Sequence, residues 1–318
     1  MDTLCALLFA ASALFCASCA STENAKKRII LVSGESIHYW GDHENEIAAG
    51  IIKDAISETM PDVIVEHVKL DKGGAMESLG GADAVIIFGE GEKYHPFYEK
   101  TGVLEKLNGQ GTGFGIIHYA LQFETPEENA VADRLVGGHY DISCSVNPTF
   151  LAEFKELAEH PAARGVKPFA YTDEWYFNIK FADIPGQKVT PIACAIPPDK
   201  VRKGRFGPHT GNQEVRDNMG KSETIAWVCE NPNGTRGFGF TGAHGVFSYN
   251  NDDMRKLLLN LIAWTAKIDI PDGGFNSSTP AMDYIEAKIA KEKRPDYEYY
   301  IKRWKDLGDS WHGEGAQK

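Results

Sequence analysis

Two hydrophobic rhythms alternate through the first half of the chain. "RIILVSG" (Arg28 to Gly34) is a continuous apolar run closed by Gly, the pattern of a parallel strand buried on both faces. Between Glu44 and Glu58 the apolar residues fall at Ile47, Ile51, Ile52, Ala55 and Ile56, which predicts an amphipathic helix. "VIVEHVKL", a Gly-rich turn and the buried run "ADAVIIFGEG" come next, then "VLEKLNGQG", a short helix stopped by Gly109. That helix feeds "GFGIIHYALQF", a strand that stops at His118 and runs into a helical turn. Strands alternating with helices predict a mainly parallel sheet covered on both faces.

From Pro126 the rhythm loosens. "EENAVADRLVGGHY" predicts a helix ending at Gly137, while "PTFLAEFKELAEH" reads as a helical or extended excursion. "PFAYTDEWYFNIKF" and "VTPIACAIPP" predict strands of an antiparallel extension. Lys200 to Lys221 is polar, Gly-rich and basic, a long loop of the kind that serves a function or moves. "ETIAWVCE", "NPNGT" and "RGFGFTGAH" predict strand, turn and strand, and "DDMRKLLLNLIAWTAK" a helix capped by Asp252 or Asp253. After Pro271 the chain turns polar, with a helical stretch around Ala281 to Lys293.

With 318 residues and 42% hydrophobic content the chain can bury a large core, and one big domain accounts for the pattern. A net charge of −12 gives no electrostatic footprint for nucleic acid. The opening run "MDTLCALLFAASALFCASCA" suits a signal peptide over residues 1–19. Its end, "CASC", looks like a bacterial lipobox that would lipidate Cys19 and leave residues 20–27 as a tether. An exported protein, periplasmic or anchored to a membrane through Cys19, is therefore expected; a soluble protein behind a misassigned start is the competing reading. The remaining cysteines, Cys144, Cys194 and Cys229, are odd in number and lack C-x-x-C spacing, so neither a disulfide framework nor a structural zinc site is indicated. Cys194 and Cys229 read as core residues.

Ligands of open parallel sheets sit beyond the carboxyl ends of the strands. Three histidines follow such ends: His38 after "RIILVSG", His118 in "GFGIIHY" and His244 in "GFGFTGAH". His43 and Glu44 lie close behind His38, and "AVIIFG" delivers Glu90 and Glu92. Two chemistries are open. His38, His118 and His244 can hold a divalent metal such as Zn²⁺, or one imidazole can act as acid or base beside a carboxylate. A second group, "TDEWYFN", sets Asp173 and Glu174 beside Trp175; these, with Glu90 and with His209 of the long loop, are candidate contacts for a small sugar. The same stretch also reads as a strand whose aromatics face the core. No nucleotide cofactor is expected, because "GQGTGFG" precedes a strand instead of following one, and no G-x-S-x-G marks a serine hydrolase.

Taken in order, "GTGFGIIHYA", "SVNP", "HPAARGVKPF", "DEWYFN", "GRFGPHTGN", "RGFGFTGAH" and "RKLLLNLIAWTAK" resemble the ThuA-like (trehalose-utilisation) family. The resemblance implies an α/β fold, the flavodoxin-like three-layer sandwich of the class I glutamine amidotransferase-like superfamily, over residues 28–272, with 273–318 as a C-terminal extension. It places His118 at the elbow where true amidotransferases carry Cys, so glutamine amidotransferase activity is not implied. It further implies carbohydrate processing, with 3-keto glycosides as one suggested substrate and a divalent metal at the strand-end histidines. The expectation is a hydrolase or lyase in which His118, His38 and His244 carry the chemistry; the alternative is a noncatalytic carbohydrate-binding or scaffold protein of the same fold.

Overall fold

The computed structural model describes residues 26–70 and 76–289. The expected signal peptide, Cys19 and most of the expected tether lie outside the described residues, as does the chain beyond residue 289. Strands β1 (Arg28–Ser33), β2 (Ile64–Lys69), β3 (Ala84–Phe88), β4 (Gly113–Ile117), β9 (Lys188–Ala195), β10 (Glu223–Glu230) and β11 (Arg236–Phe240) build one seven-stranded sheet in the order β2-β1-β3-β4-β11-β10-β9. The pairs from β2 to β11 are parallel, and β10 and β9 add an antiparallel edge. This is the flavodoxin-like strand order, whose topological switch lies between β1 and β3.

Alternation along β1 explains the layers. Ile29 and Leu31 face a core shared with α1 (Asn45–Thr59) and α6 (Asp252–Thr265), whereas Ile30 and Val32 face the core under α2 (Gly102–Gly109) and α3 (Pro126–Val136). A central strand needs apolar residues at every position to satisfy both, which is why β1, β3 and β4 read as unbroken runs. Helix α3 begins at Thr125, whose hydroxyl accepts the amide of Glu128, and ends at Gly137 with φ 84°.

The expected excursion is extended. β6 (Thr149–Phe154) pairs antiparallel with β7 (Phe169–Glu174), and a smaller pair joins β5 (Gly138–His139) to β8 (Lys180–Phe181). The alternate burial of Phe150, Ala152 and Phe154 has a period of two, and that decides for strand. Within the long loop lie two short helices, α4 (Asp199–Arg202) and α5 (Gln213–Asp217). Helix α6 is capped one residue earlier than expected, by Asn251, whose side chain accepts the amide of Met254. Helix α7 (Met282–Lys288) packs Ile285 into the first core. Cys229 is buried, whereas Cys194 is only partly so because β9 is an edge strand. Among the described residues, no helix is long and apolar enough to cross a membrane.

Candidate metal centre

The carboxyl ends of β1, β3, β4 and β11 deliver His43, Glu90, His118 and His244 to one buried point. His118 is the first residue after β4 and has φ 54°, a left-handed backbone that a non-glycine residue adopts only under constraint. The strained turn aims the imidazole across the sheet edge. His43 also has a positive φ of 47°, next to Gly41 at 82°. Its loop is strapped to the one after β11, since His43 N donates to His244 O at 2.9 Å and Val246 N to Gly41 O at 2.9 Å.

Two of the three imidazoles donate a peripheral hydrogen bond, and the third faces a carboxylate. His43 Nδ1 donates to Glu90 Oε2 at 2.8 Å, and His118 Nδ1 to the carbonyl of Thr241 at 2.8 Å. His244 Nε2 lies 3.1 Å from Asp42 Oδ1. The opposite nitrogens face one another: His43 Nε2 and His244 Nδ1 at 2.9 Å, His118 Nε2 and His43 Nε2 at 3.1 Å, His118 Nε2 and His244 Nδ1 at 3.2 Å. Three imidazole nitrogens facing one another in this way repel unless a positive charge sits among them, whether a proton on His244 or a bound cation. The spacing is close to the ~3.3 Å between ligand nitrogens around tetrahedral zinc with Zn–N bonds of about 2.0–2.1 Å. Glu174 Oε1 completes the group, 3.6 Å from His244 Nδ1 and 4.0 Å from His118 Nε2. His43, His118, His244 and Glu174 can thus hold a metal ion, with Glu90, Thr241 and Asp42 orienting the ligands from behind.

The charges follow from this packing. Burial holds His118 well below the usual imidazole range, and the neighbouring His43 and His244 push it the same way. Burial likewise lowers His43, against the bond to Glu90. For His244 burial is outweighed by Asp42, Glu174 and Asp173, which raise it to about 9. Glu90 is also buried, but His38 and His43 bring it down to about 2.

The structure rearranges the expected site. His118 and His244 meet, but their third partner is His43 and not His38. His38 sits outside, its side chain 32% exposed, with Nδ1 2.9 Å from the same Glu90 oxygen that His43 uses. It forms an outer group with His43 and Glu90. Four residues separate His38 from His43, and the strap to residues 244–246 selects the later one. The acidic neighbour in Asp42-His43 was the available sequence signal. Glu174 lies at the centre and Glu90 behind it. Asp173 and Trp175 are corrections. Asp173, at 0% exposure, accepts the amides of Ala243 and Glu174, so it is scaffold and has no face for a sugar. Trp175, also at 0%, packs against Phe154 and Phe240. In a strand alternate residues point oppositely, so Trp175 turns to the core while Glu174 and Tyr176 turn to the site. His209 is brought near through Tyr140, whose hydroxyl lies 2.8 Å from His209 Nδ1. Tyr176, stacked on His118, was not singled out by sequence.

A sequence profile described as trehalose utilisation (ThuA) matches residues 28–265. Among solved structures the chain is similar to a putative ThuA-like protein from Bacteroides uniformis, with 17% identity, a TM-score of 0.53, and coverage of 78% of this chain and 94% of that one. It is also matched by a putative GMP synthase component from Thermoplasma acidophilum, at 12% identity and a TM-score of 0.39, over 76% of this chain and 95% of that one. No curated protein matches.

Proposed function

Because the chain belongs to the ThuA, or trehalose-utilisation, family, we propose that it is a carbohydrate-processing enzyme whose histidine cluster holds one divalent metal and which acts on a 3-keto glycoside or a related sugar. The observation that carries this reading is the convergence of three imidazole nitrogens within 3.2 Å of one another beside one carboxylate. His43, His118 and His244 are the metal-holding residues. A cation bound there supplies Lewis-acid stabilisation of negative charge on a substrate oxygen.

The protein's own residues do the rest. Glu174 Oε1, oriented by Asn147 Nδ2 at 3.1 Å, is placed to accept a proton from the carbon next to the substrate ketone. In a 3-keto glycoside that proton leaves C2, its electron pair forms the C1–C2 double bond, and the C1–O glycosidic bond breaks. The departing oxygen takes up a proton and leaves as the alcohol. Burial of the imidazoles excludes water from the cluster, and His38, at its outer rim, is placed to meet a sugar hydroxyl. The depressed proton affinity of His118 suits a ligand better than an acid.

The test pairs elemental analysis with turnover. Protein purified without chelator is expected to carry one metal per chain and to release alcohol from a 3-keto glucoside but not from the parent glucoside. Release that ignores the keto group, or that survives both chelation and Glu174→Gln, overturns the reading.

A further inference from the structure

Tyr176 follows β7 and is fully buried beside the histidine cluster. Its ring stacks on His118 with centroids 4.3 Å apart and planes at 27°, and Tyr140 packs edge-on against it at 4.8 Å. Its hydroxyl donates to His118 Nε2 at 3.2 Å. That nitrogen is also the one aimed at His43 and His244, because His118 Nδ1 gives its proton to Thr241. A single lone pair therefore has two claimants, the phenol hydrogen and a cation held by the cluster.

Both cannot be satisfied together. When a cation takes the Nε2 lone pair, the buried phenol loses its acceptor, and an unmade hydrogen bond in such a place is costly. The nearby hydroxyl of Tyr140 is engaged with His209, and among the described residues Tyr176 makes no other hydrogen bond. The acceptor has to arrive with the ligand. A phenol is protonated at neutral pH and so able to donate.

We propose that Tyr176 is a catalytic residue whose hydroxyl donates a hydrogen bond to a substrate oxygen bound at the cluster, stabilising the negative charge that develops there. The inference rests on the reading that the cluster holds a metal. In the elimination above, the C2 proton passes to Glu174 while charge moves onto the ketone oxygen. Tyr176 keeps its own proton and supplies a fixed donor to that oxygen, the arrangement of an oxyanion hole. The stacked His118 and the edge-on Tyr140 hold the ring in place beforehand.

The experiment loads wild type and Tyr176→Phe with Co²⁺, counts the metal, and titrates acetohydroxamate while following the cobalt absorption. Both proteins are expected to bind one Co²⁺, with acetohydroxamate at least ~10-fold weaker in the variant and kcat on a 3-keto glucoside down by about 10²-fold at little changed KM. Replacing Tyr176 by 3-fluorotyrosine, a stronger donor of nearly the same shape, is expected to tighten acetohydroxamate binding. Unchanged affinity in both replacements, or loss of metal from Tyr176→Phe, overturns the role and leaves the metal reading standing. Failure of wild type to take up any metal overturns the metal reading itself, and the role falls with it.

Discussion

The carboxylate of Asp173 accepts the amide hydrogen of Ala243 at 2.7 Å and so fixes the backbone one residue before His244. Ala243 has φ 74°, a conformation that alanine holds only when its surroundings insist. Asp173 also accepts from Glu174 N at 3.0 Å and Gly245 N at 3.4 Å. One buried carboxyl thus ties the loop that carries His244 to the strand end that carries Glu174. Asp173→Ala is expected to cost about 2–3 kcal/mol of stability, since buried amides lose a partner, and to lower metal content as His244 moves. Thermal unfolding together with metal analysis checks this; a fully metallated variant of wild-type stability would contradict it.

Strain at His118 predicts an inversion of the usual order at that position. Glycine normally costs stability relative to alanine, but at φ 54° it alone is unstrained. If the cluster holds a metal as proposed, both His118→Gly and His118→Ala should bind none, while the glycine variant unfolds later by on the order of 1 kcal/mol. Denaturant midpoints of the two metal-free variants make the comparison.

Arg202 is buried at 0% exposure and pairs with Glu223 Oε1 at 2.7 Å, with its guanidinium over the ring of Phe177 at 4.9 Å. The pair fastens the loop that carries His209 to β10. Removing one partner strands a buried charge, so Glu223→Ala is expected to destabilise by about 3–5 kcal/mol. Limited proteolysis should show faster cleavage between residues 199 and 221 than in wild type; equal rates would mean that the pair does not anchor the loop.

His95 gives the fold a pH-sensitive component. Burial lowers its pKa from 6.5 to about 3, against a weaker opposing effect of the Ala120 carbonyl. Its Nδ1 accepts the amide of Phe97 at 3.1 Å, and its ring lies 4.1 Å from that of Phe123. Between those two values the unfolded chain binds a proton that the folded protein refuses. The stabilisation is complete above about pH 6.5 and is lost as pH falls toward 3. His95→Asn keeps an acceptor for Phe97 and removes the titration. Its stability should fall less steeply with acid than that of wild type, by up to ~1.4 kcal/mol per pH unit between pH 6 and 4, as read from urea midpoints at several pH values.

Export is a separate matter, lying in residues outside those described. We propose that the chain is processed before Cys19 and lipidated there, so the mature protein from its native host should have a mass that begins at Cys19 plus acyl groups. Intact-mass spectra that retain Cys5 would remove this reading.

Much of the fold was legible in residue order. Unbroken apolar runs marked β1, β3 and β4, the 3.6-residue spacing marked α1 and α6, and the glycines after the strands marked the edge where function collects. Those features are local, because a strand buried on both faces needs apolar residues at every position whatever its neighbours are. The stretch Thr149–Phe154 was ambiguous because so short an apolar run satisfies both periods.

By itself the sequence determined that His118 and His244 stand at strand ends, that Glu174 stands beside aromatic residues, and that the sheet is mainly parallel. Only the tertiary structure decided that His43 displaces His38, that Asp173 and Trp175 turn inward, and that Tyr176 lies against His118. Those outcomes depend on positive φ angles at His43, His118 and Ala243 and on hydrogen bonds between loops some 200 residues apart. Hydrophobic period encodes which face of an element is buried; it does not encode where a non-glycine residue is forced into the left-handed region by the loop packed against it.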